Sequence, residues 1–270
     1  MTSIANARMY AISPETEAAW SALLSRVASE ARVALTYEPY PAPRPLELLW
    51  RRPDLGAVFM CGYPIALRLA EVVPLASPIP AAPWAEGQAL YRSDFVVRAD
   101  SEFRTLEDTF GGTIGWTVEH SHSGFNAPRH HLLAQRRGDG APLYGSSLGG
   151  LVTARGIVDA VIDGRIDVGP LDGYWHLLLK RHRPDLAGQL RVIASTDLAP
   201  LPALVAAPDL GSDKVEALRH AFSRAAARPW FAPLADALCL QGFAPVTLDS
   251  FAVTRAWAAE AEAAGYLQPG

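Results

Sequence analysis

The sequence predicts an α/β chain built as two lobes joined by a two-strand hinge, and three observations predict it. Short apolar runs alternate with helical patterns along the chain, the texture of sheets covered by helices. Tyr91–Arg98 is the strongest strand pattern, and its alternation changes character near Asp94, where the chain is expected to enter a second lobe. A returning strand, Leu190–Ser195, ends at Thr196. The expected division is therefore residues 1–93 with 197–270 as the first lobe, and 94–196 as the second. With 270 residues, 50% of them apolar, each lobe can fill a core.

The elements follow in order. Ala7–Ala11 reads as a first strand. Ser13-Pro14-Glu15 then opens a helix to about Ser29, with serine as cap, proline in the first turn and an acid beside it. Val33–Tyr37 is a second strand, and the prolines at 39, 41, 43 and 45 lead to a short helix, Leu46–Arg51. Ala57–Met60 reads as a buried strand ending in Cys61-Gly62-Tyr63-Pro64, and Val72–Ala76 as another. Pro78, Pro80, Pro83 and Gly87 predict an irregular connection. In the second lobe Gly112–Val118 reads as strand, followed by a helix from Ser123 and a loop over Gly138–Gly150. A helix over Thr153–Asp163, a strand over Ile166–Pro170 and a helix over Tyr174–Lys180 complete it. Beyond Thr196 come a strand at Leu204–Ala207 and helices near Ser212–Ala226, Trp230–Leu240 and Ser250–Ala264.

Composition excludes several functions. Net charge is −4, and the densest basic cluster, Lys180-Arg181-His182-Arg183, reads as the dipole-compensating end of a helix, so nucleic acid is not an expected partner. No apolar run approaches the roughly 18 residues of a membrane span. Cys61 and Cys239 are too few for a disulfide framework or a cysteine metal site, and sequence leaves open whether they are bridged. His120, His122, His130 and His131 have no HExxH spacing, so no metal is expected, and no cofactor. Gly145-Ser146-Ser147-Leu148-Gly149 reads as a surface turn, without the preceding strand of a nucleophile elbow. The N-terminus shows neither a basic region nor a long apolar core, so no secretory leader is read there.

The most informative segment is Ser121-His122-Ser123-Gly124-Phe125-Asn126. A strand that breaks into Ser-x-Ser-Gly and then a helix leaves opening N–H groups without carbonyls behind them. Two hydroxyls flank those groups, and the glycine admits a ligand close to the backbone, which suits an oxyanion at the positive end of the helix dipole. The same residue types also serve as plain helix caps. Asp172, after an apolar run and before a helical one, is either an N-cap or a cleft acid. Arg155, in a first helical turn, opposes the dipole and hints at an anionic partner.

Together these segments resemble the phosphate/phosphite/phosphonate-type solute-binding proteins of ABC transporters. The likeness runs through Met9-Tyr10 and Pro14, Cys61-Gly62-Tyr63-Pro64, Tyr91-Arg92-Ser93, Leu106-Glu107-Asp108 and Gly111-Gly112. It continues through Ser121-x-Ser123-Gly124-Phe125-Asn126, Gly164-x-x-Asp167-Val168 with Leu171-Asp172, and Leu190-Arg191-Val192 up to Thr196, Pro200 and Pro202. The resemblance implies a type II periplasmic-binding-protein (Venus-flytrap) fold whose lobes close on a ligand. It places Ser121, Ser123 and Gly124 at the oxyanion, Asp172 facing the cleft, and Tyr10, Tyr63 and Ser93 at strand ends near it. With Gly62, His122, Phe125 and Tyr174 as neighbours and Arg155 as a charged contact, these residues make up the expected ligand-binding set.

Two departures from the family pattern bear on the ligand. Val152-Thr153-Ala154-Arg155 stands where the family often has Gly-Ser-His, and Tyr174-Trp175 adds aromatic bulk beside Asp172. The expected function is capture of a small, phosphonate-like or other oxyanion or carboxylate ligand for an ABC permease, without catalysis. The alternative is a cytoplasmic enzyme or biosynthetic binding protein on the same fold, acting on a ring-bearing carboxylate or pyrimidine-like compound. No helix-turn-helix segment is left over for a DNA-linked sensor. The resemblance implies the periplasm, whereas a chain complete as written would stay in the cytoplasm.

Overall fold

The computed structural model describes residues 2–136 and 141–270, so the start of the expected loop at Gly138 lies outside the described residues. The chain divides into two compact units. One comprises Met1–Tyr91 and Pro200–Ala252, the other Arg92–Ala199 and Val253–Gly270. The chain thus passes between units three times, where the sequence suggested two, and residues 253–270 belong with the second unit, not the first. Side chains explain this correction. Tyr266 is buried in the second unit's core with Phe95, Val97, Ile114 and Leu132. Arg129 donates to the Leu267 carbonyl (3.1 Å) and Arg136 to that of Ala264 (2.8 Å).

The first unit holds a six-stranded mixed sheet in the order Leu240–Ala244, Val73–Pro80, Ala203–Ala206, Leu55–Met60, Ser3–Asn6, Leu35–Tyr37. Ser3–Asn6 runs parallel to both its neighbours. Every residue of Leu55–Met60 is buried, as an apolar run covered on both faces requires. Helix Pro14–Ala31 starts on a Ser13 capping box, in which the Ser13 hydroxyl accepts from the Thr16 N–H and the Thr16 hydroxyl from the Ser13 N–H. Its buried face carries Trp20, Leu23, Leu24 and Val27, and Trp20 meets Phe59 edge to face at 5.0 Å.

Three readings of this unit change. The first strand is Ser3–Asn6, and the Tyr10 and Ala11 N–H groups both turn back onto the Ala7 carbonyl. The strand from Val73 continues through Pro78 and Pro80, because it is paired on both sides and both ladders carry a register shift. Such bulges accommodate residues that have no N–H to donate. Leu240–Ala244 is a strand beyond the helix Phe231–Leu238, which ends on the left-handed Cys239 (φ 51°). Cys61 and Cys239 are not joined in a disulfide.

The second unit is built on an antiparallel sheet in the order Leu190–Ser195, Ser93–Arg98, Gly169–Asp172. Helices Ala154–Ile162 and Gly173–His182 pack on it. A parallel pair, Thr113–Gly115 with Ser146–Leu148, joins it through a bridge between Ile114 and Val168. Ser146-Ser147 is therefore strand, not a surface turn: the Ser147 hydroxyl accepts from Trp116 Nε1 (2.9 Å) and donates to the Pro269 carbonyl. Among the described residues no helix is long and apolar enough to cross a membrane, and no group of three or more His, Cys, Asp or Glu could hold a metal.

Candidate functional site

Ser121 sets the geometry of the segment that the sequence singled out. Its backbone is extended (φ −75°, ψ 130°), and its hydroxyl accepts from the Gly124 N–H at 3.0 Å. The Asn126 N–H reaches back five residues to the Ser121 carbonyl (3.0 Å), so His122–Asn126 forms a π-turn before the α-helix Ala127–Leu133. Such wide turns recur at functional sites. Gly124 does not have a positive φ; it is required by close packing. A Cβ there would meet Thr117 Oγ1 at 2.0 Å and its Cβ at 2.9 Å. Gly124→Ala is expected to cost about 1–3 kcal/mol by overpacking, with partial recovery in Gly124→Ala/Thr117→Ala, measured by urea unfolding. A single variant as stable as the wild type would show that the turn has slack.

Three polar residues converge behind this turn. Ser93 starts the central strand, and its hydroxyl donates to the Ser123 carbonyl at 2.9 Å. Asp172 lies opposite Ser93 in the ladder, and Ser123 Oγ is 3.4 Å from Asp172 Oδ2. Asp172 Oδ1 also accepts from the Tyr174 and Trp175 N–H groups, each at 2.9 Å. It therefore caps helix Gly173–His182 while its other oxygen faces Ser123, so the two readings of Asp172 are compatible. The Ser93 N–H is fixed by Thr196 Oγ1 at 2.9 Å.

One residue further along the strand lies a buried pair that sequence reasoning missed. Asp94 and His176 are almost fully buried, with Nδ1 2.9 Å from Oδ2. Ser195 donates to the other carboxylate oxygen at 2.8 Å, and Arg92 Nε lies 3.1 Å from it. Burial is the largest influence on Asp94 and would raise its pKa. Hydrogen bonds from His176 and Ser195, with the charges of His176 and Arg92, outweigh it and hold the carboxyl below its ordinary value. The signals available in sequence were an acid interrupting an apolar strand and a histidine interrupting an apolar helix.

Asn126 is a second hub. Its Nδ2 donates to the Thr254 carbonyl (2.7 Å) and its Oδ1 accepts from Arg129 (3.2 Å), which fixes the orientation of the amide. The same Nδ2 is 3.1 Å from His122 Nδ1, which must then be the acceptor, so His122 carries its proton on Nε2. Burial, aided by the nearby charge of His130, lowers the His122 pKa to about 3. The His122 ring stacks on Trp257 at 5.3 Å, and His130 stacks on the same indole at 4.8 Å. His130 and His131 are both half-buried.

The other expected residues are placed as follows. Phe125 is buried against Trp116 (5.0 Å, edge to face), with Arg129 over its ring. Tyr174 is fully buried at the start of its helix. Arg155 is half-exposed and bound to Asp159 one turn on (2.7 Å), and no described contact joins it to Ser123 or Asp172. In the first unit Tyr10 is buried edge to face on Phe59 (5.0 Å), and Tyr63 lies in the short helix Gly62–Ala66. A Cβ at Gly62 would meet the Phe251 ring at 2.6 Å, so this glycine too is required by packing. The second unit thus brings Ser93, Ser121, His122, Ser123, Gly124 and Asp172 together and leaves Arg155 on a helix surface.

The model of one protein family, described as ABC transporter, phosphonate, periplasmic substrate-binding protein, matches residues 11–251. Among solved structures, a binding protein component of an ABC phosphonate transporter from Pseudomonas aeruginosa is similar, with 19% identity and a TM-score of 0.78 over 95% of this chain and 86% of that one. PhnD1 from Prochlorococcus marinus, solved with methylphosphonate, shares 15% identity and a TM-score of 0.78 over 97% and 98%. XAC2383 from Xanthomonas citri, solved with ATP, shares 18% identity and a TM-score of 0.65 over 97% of both chains. No curated protein matches by sequence. The fold is that of the type II periplasmic binding proteins.

Proposed function

Because the chain belongs to the family of phosphonate periplasmic substrate-binding proteins of ABC transporters, we propose that it captures a small oxyanion-bearing ligand, phosphonate-like or carboxylate, and delivers it to a permease. The family is one of solute-binding proteins, not enzymes, so the enzymatic alternative is set aside. The observation that carries the reading is the Ser121-capped turn, where Ser123 is held between the Ser93 hydroxyl and the Asp172 carboxylate. Opening N–H groups other than that of Gly124, which Ser121 takes, and the Ser123 hydroxyl once it turns from Asp172, supply donors to an anionic oxygen. Asp172 repels a bare anion, which favours a ligand that also carries a donor, an amine or an acidic O–H, on that side.

The test is a thermal-shift and calorimetric comparison of methylphosphonate, phosphate, phosphite, small sulfonates and carboxylates. A ligand at about 100 times its dissociation constant adds roughly 2.7 kcal/mol of stability. Ser123→Ala is expected to weaken the best ligand at least tenfold, since a hydrogen bond to a charged group contributes about 1.5–3 kcal/mol. Arg155→Ala, contrary to the expectation from sequence, should change affinity less than twofold, because the guanidinium is already engaged on its own helix. Undiminished affinity in Ser123→Ala sinks the reading.

A further inference from the structure

We infer that Trp257 is a positioning residue for ligand capture: it fixes the His122 ring and, through it, the wide turn that presents Ser123. The inference rests on the ligand site proposed above. Trp257 belongs to helix Ala252–Ala263, far along the chain from the turn, and its indole stacks on two imidazoles, one in the wide turn and one in the helix that follows it. The His130 ring is nearly parallel to it (2°) and the His122 ring is inclined by 26°. Both ends of this stack are tied down. His130 Nε2 is 2.8 Å from Glu260 Oε2 at the exposed rim, one turn beyond Trp257. At the buried end His122 Nδ1 accepts from Asn126, whose amide also reaches the Thr254 carbonyl on the Trp257 helix.

The wide turn therefore has two supports that are remote in sequence, one aromatic and one hydrogen-bonded, and both come from the same C-terminal helix. His122 is adjacent to Ser123 and its ring ties the start of the turn to Asn126 at its end, so a ring released from the stack would give up that tie and loosen the backbone that carries Ser123. A protonated His122 could not accept from Asn126, whose NH2 faces the ring while its oxygen is turned to Arg129. His130 acts on this ring directly, Glu260 is linked to it through His130, and Arg129 with Glu262 through Asn126. Exclusion of water by the indole keeps His122 in the neutral form that the turn requires.

The test uses the full chain with Trp257→Leu, which keeps apolar volume but removes the stack, and Trp257→Phe, which restores an aromatic face. The probe is methylphosphonate, read by calorimetry at pH 8, where His122 is neutral in every variant. Trp257→Leu is expected to weaken binding at least fivefold, and Trp257→Phe to recover to within twofold of the wild type. Imidazole NMR from pH 8 to pH 5 should show a non-titrating His122 in the wild type and a titrating one in Trp257→Leu. A folded Trp257→Leu protein with less than a fivefold loss, or with His122 still silent, overturns the inference. Should that variant fail to fold, Glu260→Gln, which loosens His130 at the rim, is read the same way with a threefold threshold. Ser123→Ala is run in parallel: if it leaves methylphosphonate affinity unchanged, or if the probe binds nowhere, the site itself is wrong and the positioning role falls with it. If only Ser123→Ala weakens binding, the positioning role alone falls.

Discussion

Asp94→Ala is expected to destabilise the protein by about 3 kcal/mol or more, since each buried group left without its hydrogen-bond partner costs about 1–3 kcal/mol. The reason is what remains behind. His176 is 2% exposed and would keep a polar nitrogen in the core without an acceptor, while the Ser195 hydroxyl and the Arg92 guanidinium would lose theirs as well. The position also matters to the site. Asp94 follows Ser93, which holds the Ser123 carbonyl, and it pairs with Leu171 beside Asp172 in the same ladder. Replacing both partners by apolar residues, as in Asp94→Leu/His176→Leu, should recover the part of the loss that comes from the stranded His176 nitrogen, while Ser195 and Arg92 still lack their acceptor. Urea unfolding of the two variants decides. A loss below about 1 kcal/mol in the single variant would mean that water reaches the pair.

Acid is expected to destabilise the second unit well above the carboxylate range. His122 titrates near 3 in the folded protein, below the ordinary value of 6.5. The unfolded chain therefore takes up its proton first as pH falls. Stability from this group is complete above about pH 6.5 and is lost between that pH and about 3, at a slope approaching 1.4 kcal/mol per pH unit. Burial also lowers the His131 pKa, which steepens the same window. The check is the unfolding midpoint from pH 8 to pH 4 for the wild type and for His122→Gln, whose amide oxygen offers an acceptor in place of Nδ1 without titrating. The two curves should diverge below pH 6.5, the wild type falling faster. Parallel curves would show that His122 charges inside the folded protein.

Much of this was legible in the sequence because it depends on neighbours along the chain. Ser13-Pro14-Glu15 marks a helix start for local reasons, and an apolar run such as Leu55–Met60 has only a buried place to go. The Ser-x-Ser-Gly corner was readable too, since capping is a matter of three or four residues. What failed shares one cause. Pro78 and Pro80 argue against a strand until flanking strands appear on both sides, and Ser146-Ser147 look like turn until Trp116 and Pro269 take up the Ser147 hydroxyl. The Asp159 partner of Arg155, four residues on along its own helix, likewise became visible only in the structure.

The sequence by itself determined the family, the α/β texture and the residues that open the site helix, because periodicity and capping act over one or two turns. Only the tertiary structure decided that the last eighteen residues, 253–270, belong with the second unit, that Asp172 caps one helix while facing Ser123, and that Asp94 is matched to His176. Those outcomes depend on where groups distant in sequence are buried together. A buried polar atom must find its partner wherever the packing of the chain places one.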